Sequence, residues 1–276
     1  MISLVKNFVA GKNIVSKEID TIAFLIGVGY MLARLSLLLD GEEIDYRKSS
    51  LLQGVLMERI DARYVEFLHQ QQMHPYSQFV CKTDKGTVWN IQTLNQEAYE
   101  QIIVPIIRGS NHFVLTHSGQ NVSLLDKKLE TVELSELVKG FYAGDVVRQA
   151  KIELLTPTAF KQNGHYVILP DVRLVCQNLM QRFSAISDTI DMIDKETLDQ
   201  LAANVFVTKH RIQSKMFPLE GHSLPGFCGN IVLHCNGSET MARYLQMLLA
   251  FGEFSGLGIK TAIGMGAIRL RRDMSC

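Results

Sequence analysis

Along this chain of 276 residues, apolar positions alternate in short runs and recur at helical spacing in longer ones, and the two patterns follow each other in the same order twice. Leu32 to Leu39 reads as a strand. Arg47–Ile60 then carries Leu51, Leu52, Val55, Leu56 and Ile60 on one helical face, and Ala62–Gln71 predicts a second helical piece closed by Pro75. Ser77–Lys82 and Thr87–Thr93 predict a hairpin around Asp84-Lys85-Gly86, since a short polar turn with glycine joins antiparallel strands readily. A helix over Asn95–Ile107 and strands at His112–His117 and Asn121–Val132 complete a first unit. Its order of strand, helix, two strands, helix and strand is the ferredoxin-like one.

The second half repeats that order. Val147–Leu155 predicts a strand ended by Thr156-Pro157-Thr158. Pro170-Asp171 opens a helix through Ala185, because proline and aspartate suit a first turn. A shorter helix covers Lys195–Ala203, and Asn204–Phe217 pairs with Gly226–Cys235. Ser238 caps a helix that runs to Phe251 and that Gly252 stops; a glycine-bracketed loop and a last strand follow. The expected fold class is α+β, with two tandem ferredoxin-like domains over 31–140 and 141–276 that meet near Leu134–Val146. The doubling rests on element order alone, for no residue-level repeat is evident.

Residues 1–30 read as a poorly patterned N-terminal extension, and Met31 offers an alternative start. Thr21–Ala33 is uncharged, but Gly27, Gly29, Arg34 and the direct run into Leu35, Leu37 and Leu39 favour a strand over a signal or membrane anchor. Apolar residues make up 47% of the chain and charged residues 20%, as in an ordinary globular protein. Lys+Arg and Asp+Glu balance at 28 each, so any polyanion site must be a local patch. Cys81, Cys176, Cys228, Cys235 and Cys276 form no C-x-x-C pair, which fits reduced thiols and a cytoplasmic location, with no metal site expected.

Two such patches stand out. Val205–Phe217 holds Lys209, His210, Arg211 and Lys215 with no acidic residue, and Ser255–Arg272 holds Lys260, Arg269, Arg271 and Arg272, also with none. The second contains Gly256-Leu257-Gly258-Ile259-Lys260-Thr261-Ala262-Ile263-Gly264-Met265-Gly266. Glycines permit positive φ and close approach, and successive amides in such a turn can cradle a phosphate while the lysine adds a charge. A tight loop between core strands would use the same glycines. Ile259 before Lys260 excludes a Walker A loop, and a loop that follows a helix is not a dinucleotide fingerprint. The candidate RNA-binding residues are Gly256, Gly258, Lys260, Thr261, Gly264 and Gly266, with Lys209, Arg211 and Lys215.

Proton transfer points to His69, at the end of the second helical piece, and to His74 just beyond it. RNA supplies its own nucleophile, the 2′-hydroxyl. A nuclease then needs a base for that proton, a hold on the phosphate and an acid for the leaving 5′-oxygen, and imidazoles suit the first and last tasks. His165, His222 and His234 have no companion pattern and read as structural.

The segment Gly256–Gly266 running into Ala267-Ile268-Arg269 resembles the C-terminal signature of the CRISPR-associated pre-crRNA-processing endoribonucleases of the RAMP superfamily. Leu155-Thr156-Pro157-Thr158-Ala159-Phe160 with Leu169-Pro170 resembles the opening of that family's second domain. Leu51–Leu56 is similar to its first helix, and Phe67-Leu68-His69 with Pro75-Tyr76-Ser77 to the segment carrying its usual catalytic histidine. The resemblance spans Met31 to Arg272. It implies tandem ferredoxin-like domains, metal-free cleavage of CRISPR repeat RNA without a cofactor, and ends bearing a 2′,3′-cyclic phosphate and a 5′-hydroxyl. It also implies RNA and, further, interference-complex subunits as partners. His69 falls on the general-base position. Some members add a tyrosine in the first helix and a lysine after the histidine; here Met57 and the region of His74 stand instead, so His74, Tyr64, Tyr76 or Lys260 are the alternatives for a partner to His69. A non-catalytic RNA-binding RAMP subunit would share these segments without cleaving. A phosphate-binding enzyme acting on a small molecule would use the loop differently, but no carboxylate pair for Mg²⁺ is evident near it.

Overall fold

A computed structural model describes residues 31–40, 44–115, 119–143, 145–186, 192–219 and 221–271. The N-terminal extension, His117 and Arg272 lie outside the described residues.

The first sheet has strands β1 (Met31–Asp40), β2 (Tyr76–Thr83), β3 (Gly86–Thr93), β4 (His112–Leu115) and β5 (Gln120–Glu133), in the order β2-β3-β1-β5-β4. With the short edge strand β4 set aside, this is the ferredoxin-like order, and all its pairings are antiparallel. Alternation along β1 sends Ala33, Leu35, Leu37 and Leu39 into one core. Helices α1 (Ser49–Arg59), α2 (Ala62–Gln70) and a composite α3 (Gln96–Ala98, Tyr99–Ile103 and Val104–Arg108) supply Leu52, Val55, Leu56, Leu68, Ile102, Ile103 and Ile106 to that core. The middle part of α3 is π-helical.

The second sheet has β6 (Gln149–Thr158), β9 (Val205–Leu219), β10 (His222–Cys235) and β11 (Ile268–Arg271), in the order β11-β6-β10-β9, again ferredoxin-like. A small hairpin of β7 (Phe160–Gln162) and β8 (His165–Val167) interrupts it. Helices α5 (Val172–Ala185), α6 (Lys195–Asn204) and α7 (Glu239–Ser255) cover one face. Helix α4 (Leu134–Ala143) joins the halves; the expected boundary after residue 140 falls inside it, and its Leu134, Val138, Phe141 and Tyr142 belong to the second core. Among the described residues no helix is long and apolar enough to cross a membrane, and Cys81, Cys176, Cys228 and Cys235 are free thiols.

Two elements run past residues that read as their stops. Strand β6 continues through Pro157 to Thr158 because its pairing with β10 shifts between Leu154 and Thr158, and the irregularity absorbs the proline's missing donor. Helix α7 passes through Gly252 to Ser255. A side chain at 252 would come within 2.9 Å of Ile268 Cδ1 and 3.0 Å of Leu179 Cδ2, so this glycine serves the packing of β11 and α5 on the helix. Gly256, at φ 70°, is what ends it.

The end of α7 is where the domains lock. A helix leaves its last carbonyls without partners. Here Arg34 Nη2 donates to the Glu253 carbonyl at 2.8 Å, and Gln92 Nε2 donates to the same oxygen. The Ser77 hydroxyl lies 2.6 Å from the Phe254 carbonyl and 2.8 Å from Gln92 Oε1, and its single proton serves one at a time. The Arg34 guanidinium also stacks 4.8 Å from the Phe254 ring centroid. Since Ser77 is buried, Ser77→Ala should leave a buried carbonyl short of a donor and cost ~1–3 kcal/mol. Urea unfolding measures this, and a loss below ~0.5 kcal/mol would show that this lock contributes little.

Candidate active site

Helix α2 starts where Asp61 Oδ1 accepts the Arg63 N–H at 2.9 Å, and it ends where Gln71 turns extended with its N–H on the Leu68 carbonyl. Tyr64 and Leu68 pin its inner face into the first core. His69 follows Leu68 by about 100° of helical rotation and so faces solvent, while His74 lies half-buried in the extended segment leading to β2.

The glycine loop faces them from the second domain, and it is a packed body. Every described residue of 256–268 is buried except Ile259 and Ile263, which are half-buried, and Lys260, which is exposed. A Cβ at Gly258 would sit 2.2 Å from the Ala159 carbonyl oxygen, at Gly264 2.3 Å from Ser49 Cβ, and at Gly266 2.0 Å from the Leu257 carbonyl oxygen. The glycines are therefore demanded by the protein's own backbone and by α1 of the first domain, and Ala262 joins the first core. Nine of the loop's amides are occupied inside the protein, and those of Lys260, Thr261 and Ala262 are not among them. The N–H groups of Gly256, Leu257, Ile259, Ile263, Gly264, Met265 and Gly266 donate to backbone carbonyls, that of Gly258 to Asn178 Oδ1, and that of Ala267 to Thr156 Oγ1. What the loop presents outward is Lys260, a non-glycine residue held at φ 57°. Gly256, Gly258, Thr261, Gly264 and Gly266 shape that presentation from within.

Between α2 and the loop lies a cleft of about 560 Å³. His69, His74 and Lys260 all line it, with Gln53 and Met57 of α1, Tyr76 of β2, and Asn178 and Arg182 of α5. No carboxylate is among its lining residues. Burial pushes the His74 imidazole below the ordinary histidine value, and Arg182, His69 and Lys260 push the same way against the Leu68 carbonyl. His74 is thus neutral near pH 7 and able to accept a proton. Its Nδ1 is buried with no hydrogen-bond partner, and its ring lies 5.7 Å from that of Tyr76. The Tyr76 phenol is pushed up to about 12 by burial and stays protonated, 3.5 Å from Gln53 Nε2. Tyr64 belongs to the first core, stacks on the exposed Phe67 and does not line the cleft.

Lys209, Arg211 and Lys215 are not in the cleft. They alternate onto the face of the second sheet that α5 and α7 leave open. Arg269, Glu153, Asn230 and Arg211 lie side by side across its four strands, as do Arg271, Lys151, Val232 and Lys209. Lys209, Arg211, Arg269 and Arg271, drawn from both basic clusters, therefore share one face, with Glu153 bridged to Arg269 at 3.6 Å and Arg271 at 2.7 Å. Lys215 instead reaches 5.9 Å from the Tyr46 ring centroid.

The sequence reading missed Arg182 and Asn178. The available signal was periodicity: Val175, Leu179, Phe183 and Ile186 form the apolar stripe of α5, and Arg182 falls within it.

The family model of the CRISPR-associated endoribonuclease Cas6 matches residues 152–268. The CRISPR-associated endoribonuclease Cas6 of Mycobacterium tuberculosis is 41% identical over 222 residues, covering 80% of this chain and 70% of its own length. That of Streptococcus thermophilus is 32% identical over 222 residues, covering 80% and 90%. Among solved structures, a Cas6 product complex superposes with a TM-score of 0.74 at 20% identity, over 88% of this chain and all of that one. Thermus thermophilus Cas6 gives 0.68 at 21% identity, over 88% and 99%. At such identities these structures share the fold.

The electrostatics of the cleft can be read directly. The histidine whose NMR titration is lost in His74→Asn should titrate below ~6.5, the unperturbed value. Because the folded value lies below the unfolded one, the unfolded chain takes the proton first. The stabilising increment is complete above ~6.5 and is lost as pH falls toward the folded value. Wild-type protein should lose stability relative to His74→Asn over that descent, and parallel stability curves would contradict the assignment.

Proposed function

We propose, for a chain that belongs to the CRISPR-associated endoribonuclease Cas6 family, that it cuts CRISPR repeat RNA in the cleft between α2 and the glycine loop, without a metal ion, to release guide RNAs. The observation that carries this reading is that two imidazoles and one exposed lysine from opposite domains line one cleft with no carboxylate among its lining residues. Such a lining attracts a phosphate and offers proton acceptors at near-neutral pH.

In this reading the RNA's 2′-hydroxyl attacks the adjacent phosphorus. One imidazole, His69 or His74, takes its proton, and the other, protonated from solvent once the phosphate is bound, gives that proton to the departing 5′-oxygen. The products are a 2′,3′-cyclic phosphate and a 5′-hydroxyl. His69 is the more exposed candidate for the general base. His74, neutral in the free protein, gains basicity as the phosphate's charge arrives beside it. Lys260 meets the charge that grows on the phosphoryl oxygens. The basic open face of the second sheet, with Arg211, Lys209, Arg269 and Arg271, gives further hold on the polyanion, and subunits of an interference complex are the natural receivers of the product.

A repeat RNA incubated with the protein in EDTA tests the reading. Cleavage with cyclic-phosphate ends is expected, and an RNA that is bound but left intact would assign a non-catalytic role. His69→Ala should lower single-turnover cleavage by ~10²–10⁴ while leaving affinity nearly unchanged. Near-normal cleavage by that variant would remove His69 from the chemistry. Lys260→Ala should weaken binding and flatten its salt dependence by about one counterion. An unchanged affinity and salt slope would mean that Lys260 touches no phosphate.

A further inference from the structure

One charged group at the cleft has no carboxylate to answer it. Arg182 sits on the apolar stripe of α5, 8% exposed, with Leu179, Phe183 and Ile186 around it in the second core. None of the salt bridges among the described residues involves it. Burying a cation in this way is costly unless its donors are used and a counter-charge is near. Its donors are used on backbone. Nη1 donates to the Ser255 carbonyl at 3.2 Å, Nη2 to the Gly258 carbonyl at 3.0 Å, and Nε to Asn178 Oδ1 at 3.3 Å. The Ser255 carbonyl is one of the last of α7, where the helix dipole places partial negative charge.

Asn178 completes the arrangement. Its Oδ1 accepts the Gly258 N–H at 2.8 Å as well as the Arg182 Nε–H. One turn of α5 thus grips both backbone groups of Gly258, and Lys260 lies two residues further on at φ 57°. A residue in that conformation persists only where its surroundings fix it. The same guanidinium lines the cleft together with His74, whose charged form it disfavours.

We propose that Arg182, with Asn178, is a positioning pair of the active site: together they clamp Gly258 so that Lys260 projects into the cleft between α2 and the glycine loop. This rests on the reading of the cleft as the site of RNA cleavage. Burial alone pushes the Arg182 guanidinium down to about 10, so it is still a cation at neutral pH. The other groups facing His74 are His69 on α2, Lys260 on the glycine loop and Tyr76 on β2; the first two are cationic or can become so, and none is acidic. Removing Arg182 therefore moves the His74 value upward.

Three variants separate the clamp from the charge. Arg182→Met removes both. It should lower the single-turnover rate at saturating repeat RNA by ~10²-fold, the cost of misplacing a group by about an ångström, and raise the His74 titration midpoint read by NMR. Arg182→Lys keeps the charge and loses the fork, so it should cleave slowly yet leave His74 low. Asn178→Ala loosens the loop alone; it should slow cleavage by ~10-fold or more and leave the His74 midpoint in place. Thermal unfolding of each variant shows which of them fold. If Arg182→Met does not fold, the other two decide, and Asn178→Ala cleaving at the wild-type rate overturns the clamp. A folded Arg182→Met with wild-type cleavage overturns the proposal. The titration needs no RNA. A wild-type protein that cleaves nothing would defeat the functional reading, while a shifted midpoint in Arg182→Met would still stand for the charge.

Discussion

The structure hangs on the C-terminal end of helix α7. Every helix end leaves carbonyls that must find donors. Here the donors come from three directions: Arg34, Gln92 and Ser77 of the first sheet reach Glu253 and Phe254, Arg182 of α5 reaches Ser255, and the Gly256 N–H turns back to Gly252. One set of unsatisfied carbonyls thus joins the two domains and starts the glycine loop. Phe254 and Ser255 are buried, so losing Ser77 or Arg182 strands an acceptor, whereas the half-buried Glu253 carbonyl has two donors. The cleft exists at this junction because the same few residues fix where α2 and the loop stand relative to each other.

That junction explains why a neutral chain can offer a polyanion site. The charges balance globally, yet the cleft draws Lys260 from one domain and His69 and His74 from the other, and its lining holds no carboxylate. Folding sorts the signs. Arg34 and Arg182 are spent on helix carbonyls, and Glu153 is spent on Arg269 and Arg271. What faces the cleft is an excess of positive field beside a neutral imidazole.

Much of this was legible in the residues. Alternation along Leu32–Leu39 and helical spacing from Leu51 to Ile60 identified the central strand and first helix, and element order gave the tandem ferredoxin-like arrangement. His69, His74 and Lys260 were singled out by chemistry and by family resemblance, and the structure brings all three to one cleft. The boundaries that misled were set by tertiary packing. Gly252 looks like a stop, but a neighbouring strand and helix need its missing side chain, and Pro157 looks like a break that a shifted register tolerates. The glycine loop read as either a phosphate cradle or a tight structural turn, because glycine spacing does not distinguish closeness to a ligand from closeness to the protein itself. Arg182 stayed hidden because its role depends on contacts more than 70 residues away, which no local pattern encodes.

The central claim is that a scissile phosphate sits in the cleft among His69, His74 and Lys260. The direct measurement uses a repeat RNA with a 2′-deoxy group at the cleavage position, which binds but cannot react, and follows the histidine titrations by NMR with and without it. A phosphate beside His74 favours its charged form, so its midpoint should rise on binding, and Lys260→Ala should not abolish that rise. Histidine titrations that are the same in free and bound protein would put the phosphate elsewhere and contradict the account.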